Sequence, residues 1–179
     1  MESKSEILSS FRSKWDEINT IISEVPDNHF TAKSNPEVWS IAEEFEHVIK
    51  SASAVSSAMK VNTLVLKWKF GKPNRPIRSY DEILAKYNKA LASVDGRAVA
   101  PSPFQAKEGQ VFDKEDMLKH WESTLRKFDQ RIGKWSDKNL DRVLLPHPLL
   151  GKMMVRELLY FTHLHTEHHR VSLERKVGL

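Results

Sequence analysis

A chain of 179 residues can enclose one hydrophobic core without covalent or metal cross-links. It contains no cysteine, which excludes disulfides, thiolate metal sites and a cysteine nucleophile. The net charge of +4 comes from widely spread Lys and Arg, and no apolar run approaches the ~18 residues of a membrane span. The start, Met1-Glu-Ser-Lys-Ser-Glu6, lacks the basic and apolar regions of a secretory leader. The expectation is a cytoplasmic protein with one domain over residues 1–179 and no membrane partner.

In chain order, the first helix is expected from Ser5 to Ser23. Ile7, Leu8, Phe11, Trp15, Ile18, Ile21 and Ile22 recur there at helical spacing. Val25-Pro-Asp-Asn28 ends it, and Asn35-Pro-Glu-Val-Trp39 reads as a loop with a large apolar anchor. Ser40-Ile-Ala-Glu43 matches a capping box and opens a second helix to about Met59, with Ile41, Phe45, Val48, Ala52 and Val55 facing inward. Lys67 to Arg78 holds five cations around Trp68 and Phe70. That charge density falls short of a nucleic-acid surface, so the segment reads as a solvated connection with its two aromatics in the core, and no nucleic-acid partner is expected.

Ser79-Tyr-Asp-Glu82 is a second capping box and opens a third helix to about Val94. Ala98 to Gln110 reads as a loop. Asp113 caps a fourth helix, which carries Met117, Leu118, Trp121, Leu125, Phe128 and Ile132 and ends near Gly133. Trp135 to Gly151 reads as a third connection, and the last helix runs from near Met153 to just before Gly178. No window alternates with period 2. The fold class is therefore all-α. It is a four-helix bundle with long crossover connections, because those connections exceed simple hairpins, plus one short extra helical segment.

Chemistry is concentrated in the last helix. Leu158, Phe161, Thr162, His165, His169 and Ser172 form one inward stripe at three- and four-residue steps. Two readings compete for its histidines. They are buried imidazoles satisfied by hydrogen bonds, or they are two ligands aimed at one cation. His47, beside the inward face of the second helix, supplies a third nitrogen for the latter. A three-nitrogen set leaves coordination positions for water or substrate, and zinc, nickel, copper and iron all suit it. His163 points off the stripe toward Tyr160, Glu167 and Arg170, and His168 sits at its edge. A shifted register would bring either into the pair. His120 could face inward but has no second ligand nearby. His147, between Pro146 and Pro148, shapes a loop or lines a pocket mouth.

Glu44-x-x-His47 is half of a di-iron signature, but neither Glu157 nor Glu167 has a histidine three residues on, so that class falls. Glu43, one turn before His47, is a candidate base, and its spacing from Ser40 marks it first as a capping residue.

Trp39-Ser-Ile-Ala-Glu-Glu-Phe-Glu-His47, Pro146-His-Pro-Leu-Leu-Gly151 and Tyr160-Phe-Thr-His-Leu-His-Thr-Glu-His-His169 together resemble the DinB-like superfamily of metal-binding four-helix bundles. The resemblance implies a divalent metal, commonly zinc or nickel, on His47, His165 and His169. It further implies a small-molecule substrate and chemistry ranging from thiol S-transfer with a low-molecular-weight thiol to metal-dependent hydrolysis. Thiol transfer to a small electrophile is the first expectation, hydrolysis the second, and a non-enzymatic ligand- or protein-binding bundle the third. Pairing of two copies along a helix face is a further expectation that no sequence feature fixes.

Overall fold

The structure, a computed structural model, describes residues 3–93 and 100–178. Among these residues eight helices run in chain order: α1 Lys4–Glu24, α2 Asp27–Phe30, α3 Ile41–Ala58, α4 Thr63–Phe70, α5 Tyr80–Ala92, α6 Lys114–Lys134, α7 Asp137–Leu140 and α8 Val155–Val177. A 3-10 turn covers Ser102–Phe104, and a hairpin joins β1 Leu144–His147 to β2 Gly151–Met154. Among the described residues no helix is long and apolar enough to cross a membrane.

The bundle is made of α1, α3, α6 and α8. Each of α1 and α3 packs against both α6 and α8. The cyclic order is therefore α1–α8–α3–α6, with α1 and α3 across one diagonal and α6 and α8 across the other. Between α3 and α6 the chain makes a long excursion through α4 and α5, and α5 lies against the outside of α8. This is the expected bundle with crossovers, and α5 is a helical segment outside it.

The core follows from side-chain spacing. Ile7, Phe11, Trp15, Ile18 and Ile22 descend one face of α1 at three- and four-residue steps, and all are buried. Phe11, Trp15 and Phe128 meet with ring centroids 5.0–5.1 Å apart, and Trp121 joins them from α6, 6.0 Å from Trp15 and 5.6 Å from Phe45. Each such ring taken from water contributes roughly 2–3 kcal/mol, and edge-to-face contacts add to that. The helix starts are set locally. Ser3 with Glu6, Ser40 with Glu43, and Ser79 with Glu82 all close capping boxes, and Asp113 accepts from Asp116 N–H at the start of α6.

Three expectations are corrected. Lys67 is not in an open connection, because residues 63–70 form α4; Asn62 caps it, accepting from Leu64 N–H at 2.8 Å. Trp68 is not in the core but 87% exposed, whereas Phe70 packs partly against the core. Only Leu66 of α4 is buried, so the helix has no inward stripe for a tryptophan to extend. The Trp135–Gly151 connection is not irregular. It contains α7 and β1, and β1 pairs antiparallel with β2 from Leu144↔Met154 to His147↔Gly151. The strands are four residues long and one holds Pro146, too short and too interrupted for a period-2 signal. Gly151 closes the hairpin at φ +73°, a conformation that a side chain would strain.

One buried carboxylate holds the excursion down. Glu157, in the first turn of α8, is fully enclosed. It accepts from both terminal nitrogens of Arg75 at 2.5 and 2.6 Å, from Arg78 N–H at 2.8 Å and from Met154 N–H at 3.0 Å. The same oxygens thus cap α8 and fix the strap leading into α5. Burial alone would raise the Glu157 pKa, but the Arg75 bond and the two backbone donors outweigh it and hold the group ionised. At the other side of the hairpin, Arg156 ties α8 to α7 through Asp137 at 2.7 Å and Asp141 at 2.5 Å.

Candidate metal centre

His47 leaves the second turn of α3, and His165 and His169 leave consecutive turns of α8. The two helices are bundle neighbours, so these three rings face each other across their seam. His165 Nε2 lies 3.0 Å from His47 Nε2 and 3.2 Å from His169 Nε2. The donor atoms of the three all fall within 4.8 Å of one another. Nitrogens bonded at ~2.0–2.1 Å to one tetrahedral cation stand roughly 3.3 Å apart. The two spacings to His165 therefore match such a set with slight expansion, and the third pair lies within 4.8 Å.

The outward nitrogens explain why the inward ones point as they do. His47 Nδ1–H donates to the Phe104 carbonyl at 3.0 Å, and His169 Nδ1–H donates to Glu44 Oε1 at 2.7 Å. A ring that gives its Nδ1 proton away leaves a lone pair at Nε2. Glu44 is 3% exposed and also pairs with Lys176 at 2.5 Å. Burial pushes its pKa up, but the bond and charge of His169, followed by those of Lys176, bring it down to about 2, so it is a carboxylate at any physiological pH. Burial, then repulsion from His169, depresses the His47 pKa to about 4, while the Phe104 carbonyl opposes this weakly. Burial and the neighbouring histidines push His165 well below its ordinary value. His47 and His165 thus rest at neutral pH as the neutral imidazoles that a cation needs.

A pocket of about 440 Å³ opens beside the three nitrogens. Trp39 and Phe104 wall it near His47, and Phe161 stacks on His165 at 5.5 Å with planes 28° apart. The lining among the described residues includes no Lys, Arg, Asp or Glu. A larger hollow of about 870 Å³ lies between the end of α1, the start of α3 and the end of α8, and none of the three histidines lines it. The three histidines line the smaller cavity.

The other sequence candidates separate cleanly. His163 is 7% exposed, with Ser10 Oγ 2.7 Å from Nε2 and Tyr80 OH 3.1 Å from Nδ1. Both nitrogens are engaged between α1 and α5, away from the cluster, and its expected outward direction meets α5 rather than solvent. His168 is exposed at the pocket rim. His120 is exposed on α6 and does not face inward. Glu43 has its oxygens taken by Ser40 N–H at 2.8 Å and Lys33 at 2.8 Å, as a capping residue should. His147 lines the pocket.

Sequence reasoning missed Glu44 as a partner of the site. Its signal was present, since a carboxylate three residues before His47 shares that ligand's helix face. The Phe104 carbonyl left no signal, because any residue type carries one.

The sequence profile of the DinB superfamily matches residues 10–171. No curated protein sequence is significantly similar to the chain. Among solved structures, YfiT from Bacillus subtilis, described as "a probable metal-dependent hydrolase with an unusual four-helix bundle topology", superposes with a TM-score of 0.64 at 15% identity, covering 99% of this chain and 89% of that one. At that identity the likeness concerns the fold. With most of its length matched by the family profile and its bundle shared with YfiT, this chain belongs to the DinB superfamily.

Proposed function

We propose that this chain is a divalent-metal-dependent enzyme that hydrolyses a small, uncharged, largely apolar substrate, with His47, His165 and His169 as the metal ligands. The observation that carries the reading is the convergence of three Nε2 atoms at 3.0–3.2 Å steps on the wall of an apolar pocket. A bound divalent cation supplies Lewis acidity and lowers the pKa of a water or thiol, so that a nucleophile exists at neutral pH. The protein's own groups do the rest. The Phe104 carbonyl and the Glu44 carboxylate hold His47 and His169 in the tautomer with a free Nε2. Phe161 holds the His165 ring by stacking. The aromatic walls limit water and raise the strength of polar interactions inside. His168, at the rim, is the described lining group outside the ligand set best placed to exchange a proton with solvent.

YfiT's description as a probable metal-dependent hydrolase supports hydrolysis. Thiol transfer, expected from the family resemblance, would use the same three nitrogens. Cellular low-molecular-weight thiols generally carry carboxylate and ammonium groups, and the described lining has no charge to pair with them. That observation ranks hydrolysis ahead.

The test is metal analysis of protein purified without a histidine tag, followed by assay of small neutral esters, amides and lactones with zinc or nickel, with and without added thiols. One metal equivalent and thiol-independent hydrolysis that chelation abolishes is the expected result. Turnover that requires a thiol would move the reaction to transfer. Less than a tenth of an equivalent of any metal, with no uptake on titration, would remove the enzymatic reading.

A further inference from the structure

His147 occupies the last position of β1, where the hairpin turns, and lines the same pocket as the three nitrogens. Its Nδ1 accepts the backbone N–H groups of Leu149 at 3.2 Å and Leu150 at 3.1 Å. A nitrogen that accepts two donors holds no proton, so the neutral ring is the Nε2–H tautomer. Burial, then repulsion from the Lys86 ammonium, lowers its pKa to about 4, and the neutral ring is the form present at pH 7. The ring lies on Phe161 with centroids 4.1 Å apart, and Phe161 in turn stacks on His165. Pro146 and Pro148 stiffen the chain on either side. The Nε2–H is therefore fixed in place by a ring contact and by two hydrogen bonds. Among the described residues it has no hydrogen-bonding partner of its own, and it is not a sealed orphan.

Two roles are excluded by this arrangement. His147 cannot act as a base, because one nitrogen is already occupied and the other already protonated. Nor does it join the ligand set, because its second nitrogen carries a proton in place of a lone pair and the three-nitrogen cluster does not include it. What remains is donation. The surrounding wall, with Trp39, Val55, Leu91, Leu149 and Leu158, is apolar and would leave an ionic substrate group without a partner.

We propose that His147 is a substrate-binding residue whose Nε2–H donates to a carbonyl-type oxygen of an uncharged substrate with an apolar body. The inference rests on the reading of this pocket as the substrate site, but not on the identity or presence of the cation.

The test has two parts, both on the full chain freed of metal. First, ¹⁵N-detected NMR of the histidine side chains at pH 7 is expected to show His147 protonated at Nε2; protonation at Nδ1 would overturn the assignment. Second, binding of acetophenone is compared with that of its isostere α-methylstyrene, which replaces the oxygen with a methylene, by quenching of Trp39 fluorescence and by chemical shift. The wild type should prefer the ketone by about fivefold, the size of one neutral hydrogen bond. His147→Asn keeps an acceptor for the two turn amides but has no atom where Nε2 was, and should bind the two probes equally. An unchanged preference in His147→Asn, or binding of neither probe by the wild type, overturns the proposal. Because both parts use metal-free protein, their outcome is separate from that of the metal analysis. A protein that never takes up metal can still show the ketone preference, and a metalloprotein can lack it.

Discussion

Glu44 offers the sharpest test of the centre. It touches no cation in the proposed arrangement, yet its Oε1 takes the Nδ1 proton of His169 at 2.7 Å. A hydrogen bond to an ionised acceptor is worth about 1.5–3 kcal/mol, and 1.4 kcal/mol is tenfold in an equilibrium constant. Glu44→Ala releases His169 to rotate and to change tautomer, so zinc affinity should fall by roughly 10–100-fold. Glu44→Gln keeps an acceptor of nearly the same shape without the charge and should fall by about tenfold. Lys176, the other partner of Glu44, has a quarter of its side chain exposed and tolerates the loss through solvent. The assay is competition against a chromophoric chelator at pH 7.5, with folding checked by circular dichroism. If Glu44→Ala binds zinc within twofold of the wild type while His169→Ala has lost it, the carboxylate does not orient the ligand and the argument fails.

Other consequences are open to measurement. His47→Ala and His169→Ala should each lose most zinc affinity in the same competition, whereas His163→Ala should retain it and instead lower the melting temperature, because Ser10 and Tyr80 lose their shared partner. Metal-free protein should lose stability as pH falls from about 6.5 to about 4. In that window unfolded histidines take up protons while His47 and His147, with pKa values near 4 in the folded state, do not. The unfolded chain then binds more protons, and each such group contributes a slope of up to about 1.4 kcal/mol per pH unit. Urea denaturation at pH 7.5, 5.5 and 4.5 reads this directly, and a flat profile contradicts it. Glu157→Ala strands Arg75 and two backbone donors, and should cost about 3–5 kcal/mol in chemical denaturation. A loss below 1 kcal/mol would show that the strap is held by something else.

What was readable in the sequence was local. Ser40 with Glu43 and Ser79 with Glu82 state their helix starts within four residues, and His165 with His169 state a shared face by their spacing alone. The ordering of the bundle needs the inward stripes of α1, α3, α6 and α8, which are long enough to show. By contrast, α4 buries one residue, so nothing in its pattern separated it from a loop or told that Trp68 faces water. The Glu157 clasp joins residues 79 and 82 positions apart, and the Glu44–His169 bond spans 125. Neither separation leaves a periodic trace. In the sequence Glu44 reads as half of a di-iron signature, and its role as a hydrogen-bond partner to His169 appears only once α3 and α8 are side by side.

His47 and His165 stand 118 positions apart, with the excursion through α4 and α5 and the bundle helix α6 between them in the chain. During synthesis the first ring leaves the ribosome long before its counterparts exist, so no partial chain ending ahead of α8 owns a three-nitrogen grip. A cation that prefers the finished arrangement stabilises only molecules whose first and last thirds have docked, by an amount that grows with its free concentration. Metal supply would then act on the lifetime of the folded protein as well as on its chemistry, and starvation for the ion would lower the amount of protein in step with its activity.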